Sequence, residues 1–388
     1  MSASKTIKSL VGLLGAVLTF APAAAMAGYE LNLHPGVTKI SHEIYDLHML
    51  VLWIVTIVGI LVFGVMIYSI INHRKSKGVT PASFHESTTV EVIWTVIPFV
   101  ILVAIAVPAT KTLLQMDDMS NPDVNIKVTG WQWKWEYDYL DNGVRFFSNL
   151  ADSSVKAGAG AVETKSEDLA KVDHYLRDVD HPMVVPVGKK VRLLITGADV
   201  IHSWWVPKLG VKHDAIPGHI NESWFRADKV GFYRGQCAEL CGKGHGYMPI
   251  VVKVVSEADY QTWLGKQKQA AMAAAQSTNK VFTKEELMKH GEKIYNSTCA
   301  ACHQPNGKGL PGVFPALFGS KTVDGPIEGH LHTVVFGRPG TAMQAFGKQL
   351  SPVDIAAVVT YERNSFGNHM GDMAQPSDVV AVENQKSK

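Results

Sequence analysis

Gly235-Gln-Cys-Ala-Glu-Leu-Cys-Gly-Lys-Gly-His-Gly-Tyr-Met248 puts two thiols (Cys237 and Cys241), an imidazole (His245) and a thioether (Met248) on one short loop. Such a soft donor set suits copper. A mononuclear blue-copper site uses two His, one Cys and a weak Met, so the additional thiolate changes the chemistry. Two sulfurs can bridge two copper ions, which then share one electron. Sharing spreads the redox change in bond length over many bonds, so reorganisation is small and transfer is fast. One imidazole is needed per copper. His245 is on the loop, and His202 in Asp199-Val-Ile-His-Ser-Trp-Trp205 is the best second candidate, because it follows a strand-like run. Met248 is then the weak axial ligand of one copper, and the main-chain carbonyl of Glu239 that of the other. Two Cys with two His would also satisfy a closed tetrahedral zinc site. Zinc makes no use of the nearby thioether.

Outward from this loop the pattern is β. Val191, Leu193 and Ile195 alternate with Arg192, Leu194 and Thr196, and Ile250, Val252 and Val254 occupy alternate positions of a second run. Short strands bounded by turns such as Asn142-Gly143 predict a Greek-key sandwich or barrel over residues 123–260. The polar stretch from Ser153 to Asp180 reads as a surface insertion. Residues 261–281, rich in Ala, Gln and Lys, read as a semi-rigid linker of helical character.

At 388 residues with a net charge of +2, the chain calls for several domains and offers no basic nucleic-acid surface. Lys5 and Lys8, the apolar Leu10–Phe20 and Ala25-Met26-Ala27 read as a signal peptide over residues 1–27. Met49–Ile71 and Val92–Thr110 lack charge, and each approaches the ~20 residues that span a bilayer. They predict a hairpin over residues 28–115, with helices at about 47–72 and 91–113. His73, Arg74, Lys75 and Lys77 between them set the turn on the cytoplasmic side, so everything after Lys111 lies outside. That compartment is oxidising, so a plain disulfide is the bland alternative for each cysteine pair, although each carries a His at ligand spacing.

The second pair lies in Cys299-Ala-Ala-Cys-His303, the C-x-x-C-H attachment run of c-type haem, where both thiols bond the haem and His303 is the proximal ligand. Thr283-Lys-Glu-Glu286 and Ser351-Pro-Val-Asp354 read as helix starts on either side of it. Together they predict an all-α, class I cytochrome c domain over residues 282–370, followed by a polar, mobile tail over 371–388. Met343, in the loop before the last helix, is the candidate sixth ligand. Met370 and Met373 follow that helix and Met288 falls on the first one, so they are weaker candidates. Acidic and basic residues balance after Val281, so no strong steering field is expected.

Glu91-Val-Ile-Trp-Thr-Val-Ile-Pro98, Gly130-Trp-Gln-Trp-Lys-Trp-Glu-Tyr137, His202-Ser-Trp-Trp-Val-Pro207, Ala215-Ile-Pro-Gly218 and the Cys237–Met248 loop resemble subunit II of haem–copper cytochrome c oxidase. The likeness runs from about Tyr29 to Val255. It implies a cupredoxin-like domain holding the dinuclear CuA centre, anchored by a two-helix hairpin beside subunit I, with subunit III nearby, in a bacterial inner membrane. It further implies that the Glu239 side chain reaches a magnesium ion at the subunit I interface, that Glu91 stands at the mouth of a proton path, and that Trp133 admits electrons. Trp131 and Trp135 are expected to pack. The donor is expected to be a periplasmic c-type cytochrome or a cytochrome bc complex. The two spans hold no His cluster for an oxygen-reducing site, so that site is expected on a partner, with proton pumping there. A CuA-containing nitric-oxide reductase and a periplasmic copper-delivery protein are the alternative functions. A quinol oxidase subunit would lack the two loop cysteines.

Overall fold

A computed structural model of the chain describes residues 32–80, 83, 85–157, 169 and 171–385. The signal-peptide expectation lies outside the described residues, as do residues 158–168 and 170 of the polar insertion.

Two helices, Lys39–Asn72 and Thr88–Met116, are long and apolar enough to cross a membrane. Both exceed the sequence expectation, the first by starting eight residues earlier than position 47. Thr38 explains that start: its hydroxyl accepts from Ser41 N at 2.9 Å while the Ser41 hydroxyl accepts from Thr38 N at 3.0 Å. This reciprocal pair satisfies donors that a helix end leaves open. At ~1.5 Å per residue the first helix is ~50 Å long, well beyond a ~30 Å hydrocarbon core, so it projects past the bilayer. Ile60, Leu102 and Val107 are more than 65 % exposed, as lipid-facing side chains must be.

The rest of the described chain, with Val37–Ser41, forms a second compact unit. Its first part is a β-sandwich: one sheet has strand order β3-β2-β1-β5-β8, the other β4-β10-β9-β6-β7. The strands are β1 Val124–Trp131, β2 Lys134–Tyr139, β3 Val144–Ser148, β4 Met183–Pro186, β5 Val191–Gly197, β6 His202–Val206, β7 Val211–Ala215, β8 Asn221–Phe225, β9 Gly231–Cys237 and β10 Pro249–Val255. In β5 the alternation expected from sequence holds, with Val191, Leu193 and Ile195 fully buried. In β10 it fails: Val251 and Val255 are buried along with their neighbours. That strand lies between β4 and β9 in its sheet, and Tyr260 and Leu264 from the following helix join the same core.

That helix, Glu257–Ser277, corrects the boundary drawn at residue 260. Its first turns belong to the sandwich, where Trp263 packs on Tyr139 at 5.1 Å and on Phe146 at 5.9 Å between ring centroids. The segment read as a linker is therefore the continuation of a helix already anchored in a core.

Helices Lys284–Ile294 and Pro352–Arg363 each open with a capping box, Thr283 with Glu286 and Ser351 with Asp354. They cross at Gly291, where any side chain would fall on the carbonyl oxygen of Ala357. The polar tail is corrected as well. Pro376–Gln385 is a helix whose Val379 and Val382 are buried with Leu331, Val334 and Ile355 in one core. Two valines three apart make a narrow apolar stripe inside a polar run, which is too weak a signal to read as an element.

Gly291→Ala should destabilise this helical unit. Alanine gains up to ~1 kcal/mol in helix propensity. Pushing two backbones apart costs about 1–3 kcal/mol, and here the clash is with main chain that cannot rotate away. The net loss should be about 1–2 kcal/mol, read from denaturant unfolding followed at the haem absorbance. An unchanged or raised midpoint would show that the crossing is looser than described.

Candidate metal and haem sites

β6 and β9 are antiparallel neighbours with Trp204 opposite Cys237, and Ala238 N donates to Ser203 O at 3.0 Å. This register brings His202, at the start of β6, beside Cys237, at the end of β9. The loop then turns so that Cys241 returns to Cys237, with 3.8 Å between the sulfurs and no disulfide. Cys241 Sγ lies 3.6 Å from His245 Nδ1 and 3.6 Å from Met248 Sδ, while Cys237 Sγ lies 3.3 Å from Glu239 O. Ligand atoms of His202, Cys237 and Cys241 fall within 4.8 Å of one another, the one such His, Cys, Asp or Glu group among the described residues.

His202 is fully buried, and its ring is aimed by its surroundings. Nε2 meets Asp199 Oδ1 at 2.8 Å. Nδ1 is buried with no hydrogen-bond partner among the described residues. A buried nitrogen without a partner is costly unless something else binds it, and a carboxylate on the far nitrogen is the usual support of a metal-bound imidazole. Gly130 makes room, since a Cβ there would approach His202 Cδ2 to 2.8 Å. The first proton leaves the cysteine pair easily, chiefly because Cys241 donates to the Cys237 thiolate. Paired sulfurs, an unpartnered buried nitrogen, a thioether and a carbonyl fit a two-copper site better than tetrahedral zinc.

The β1–β2 hairpin tip, Gln132-Trp133, lies against this loop. Gln132 Nε2 and Trp133 Nε1 both donate to Cys241 O at 3.0 Å. Trp133 covers Gly244, where any side chain would strike the indole. Trp135 is fully buried and donates to Met248 O at 3.2 Å, which fixes the thioether end of the loop. Trp131 donates to Glu136 at 3.0 Å. The Glu239 carboxylate is exposed and belongs to no group of three or more His, Cys, Asp or Glu ligands among the described residues. Glu91 sits in the first turn of the second membrane helix.

Cys299, Cys302, His303 and Met343 all line one cavity of about 360 Å³. Met288, Met370 and Met373 do not. His303 Nδ1 meets Pro315 O at 2.9 Å, an arrangement that leaves Nε2 free to ligate. Burial pushes the Cys302 thiol up to about 11 and raises that of Cys299 well above its ordinary value. Thiols for covalent attachment, an oriented imidazole and a thioether on a shared apolar cavity fit a c-type haem with Met and His axial ligands.

Sequence reasoning missed several residues here. Lys134 of β2 is buried on the cavity wall, lies 4.5 Å from the Phe147 ring centre and 5.2 Å from that of Phe346, and burial pulls its ammonium down to about 8. His330 and Glu362, both nearly fully buried, pair at 2.9 Å on the same wall. Gln132, Asp199 and Gln344 were not singled out either. They sit on separate segments, and no spacing in sequence announces their meeting.

A sulfur-rich loop on a β-sandwich, a thiol-lined cavity in a helical unit and two membrane-length helices define a membrane-anchored carrier of copper and haem. Residues 124–255 match the family described as cytochrome c oxidase subunit II, periplasmic domain, residues 26–112 its transmembrane domain, and residues 286–361 the cbb3-type cytochrome c oxidase subunit III. A probable cytochrome c oxidase subunit 2 of Rickettsia bellii is 38% identical over 268 residues, covering 68% of this chain and 95% of the relative. Cytochrome c oxidase subunit 2 of Cereibacter sphaeroides is 39% identical over 235 residues, covering 59% and 78%. The crystal structure of the periplasmic domain of subunit II of the Bradyrhizobium japonicum oxidase aligns at 43% identity over 39% of this chain and 96% of its own, with TM-score 0.33. The chain belongs to the cytochrome c oxidase subunit II family and carries a cytochrome c domain at its C-terminal end. It is a membrane subunit of an oxidase and associates with subunit I.

Proposed function

We propose that this subunit takes electrons from a periplasmic reductant into its own c haem, relays them to a dinuclear CuA centre, and delivers them to subunit I, where oxygen is reduced with proton pumping. When bound, the haem and the copper pair supply one-electron storage at two fixed positions. The observation that carries the reading is the coexistence, in one compact unit, of two sulfurs 3.8 Å apart among His, Met and carbonyl donors, and a cavity lined by Cys299, Cys302, His303 and Met343.

Each residue has a distinct task. Cys237, Cys241, His202 and His245 would hold the copper pair as its strong donors, and Met248 and the Glu239 carbonyl would be its weak ones. Cys299 and Cys302 would anchor the haem, and His303 and Met343 would ligate its iron. Trp133 stands against both the copper loop and the haem cavity, so it lies on the inward route. The exposed Glu239 carboxylate supplies one ligand of a magnesium ion completed by subunit I, and Glu91 opens a proton path from the cytoplasmic face. Subunit III and a periplasmic cytochrome c or bc complex complete the set of partners.

In the purified oxidase, a light pulse that reduces the c haem should be followed by haem reoxidation and matching bleaching of the near-infrared copper band. Electron paramagnetic resonance of the oxidised site should show one unpaired electron shared by two coppers. A mononuclear signal, zinc in place of copper, or haem reoxidation with no change at copper would sink the reading.

A further inference from the structure

We propose that Gln344 is the positioning residue that locks the haem-ligand loop to the copper-ligand turn and completes a hydrogen-bonded connection between the two ligand sets. It deepens the relay proposed above and rests on it. Gln344 follows Met343 directly. Its Nε2 donates to Asp199 Oδ2 at 3.2 Å and to Gln132 O at 2.8 Å. Its Oε1 faces Gln349 Nε2 at 3.4 Å, and that same nitrogen donates to Ala345 O at 2.7 Å, which sets the direction of the amide. Both Nε2 hydrogens are therefore engaged on the copper side.

Asp199 is the junction. Oδ1 faces His202 Nε2 at 2.8 Å and accepts from Val200 N at 2.7 Å, while Oδ2 accepts from Gln132 N at 2.8 Å as well as from Gln344. From Met343 to His202 the connection crosses one peptide bond and two hydrogen bonds. Gln132 adds a second branch, since its side chain donates to Cys241 O. The loop carrying Gln344 is itself pinned: Arg338 N donates to Met343 O at 2.9 Å, and Phe346 N donates to Val334 O at 2.9 Å. A pinned loop that reaches a pinned turn through an uncharged donor fixes the distance between the ligand sets. It does so without placing a second charge beside the Asp199 carboxylate.

The test uses the purified oxidase with Gln344→Ala and Gln344→Glu. Glutamate keeps the length and shape of glutamine but cannot donate when ionised, and it sets a carboxylate against Asp199. Two readouts are needed: amide hydrogen exchange over residues 197–202 and 338–347, and the rate of haem-to-copper transfer after a light pulse. Gln344→Ala should exchange about tenfold faster over both segments, as loss of one or two hydrogen bonds predicts. Its internal transfer should slow several-fold, with both midpoint potentials unchanged. Gln344→Glu should be worse than alanine in both readouts. If alanine stays within about twofold of the parent, a margin too small for a lost hydrogen bond, or if glutamate behaves as glutamine does, Gln344 merely fills space and the inference fails. If the parent oxidase itself shows no haem-to-copper transfer, the relay fails instead, and the exchange data still decide whether Gln344 locks the two segments.

Discussion

Cys237→Ser should strip the copper pair from an otherwise folded subunit. A serine hydroxyl stays protonated near neutral pH and is a hard donor, so it cannot stand in for a bridging thiolate. Loss of a supporting residue alone typically costs ~10–100-fold in metal affinity. Loss of a bridging sulfur should therefore cost more than about a hundredfold, and oxygen uptake driven by the external donor should fall to background. The site closes β9 and its neighbours Cys241 and Met248 remain buried, so the sandwich itself should survive. Copper per chain, the near-infrared band and the c haem spectrum together make the check. Retention of two coppers with normal turnover would remove the thiolate pair from the account.

Ending the chain after Gln375 should unfold the haem unit more readily, although the removed residues include none of the proposed ligands. Val379 and Val382 are 0 % and 2 % exposed. Burial of each contributes about 1.5–3 kcal/mol, so about 3 kcal/mol or more should be lost, a large share of the ~5–15 kcal/mol that holds a small domain together. Gln375 stays in the shortened chain, where it bridges the main chain of Phe282 through both of its amide atoms, at 3.0 and 2.9 Å. The readout is the denaturant midpoint of the haem absorbance at fixed haem content. An unmoved midpoint would mean that this helix only decorates the surface.

What could be read from the residues was chemistry concentrated in short stretches. Cys237 to Met248 and Cys299 to His303 each carry several donors within one turn or two, so spacing alone displays them. The membrane spans and β5 also declared themselves, because uninterrupted or alternating hydrophobicity is a local property. What could not be read was long-range. Asp199 meets Gln344 across 145 positions, and His330 meets Glu362 from a different helix. Lys134 becomes a cavity residue only because β2 begins beside a domain encoded more than a hundred residues later. The terminal helix reads as a tail in the sequence because its two buried valines are outweighed by the polar residues around them. In the linker the composition spoke for a helical spacer but not for its anchor. Ala, Gln and Lys suggested a spacer, but Tyr260, Trp263 and Leu264 had already fixed its first turns in the sandwich.

For the relay proposed above, that anchored helix would change the kinetics of the internal step. A slack string would let the carrier diffuse around its acceptor, and charged patches would then bias each collision, an influence that dissolved salt weakens. With Glu257–Ser277 rooted in the sandwich and the far contact made by amides around a single carboxylate, arrival is settled by architecture rather than by search. Ionic strength should therefore leave the internal hop untouched while slowing only the capture of electrons from a soluble donor. The organism would gain an internal current whose pace does not follow the saltiness of its surroundings.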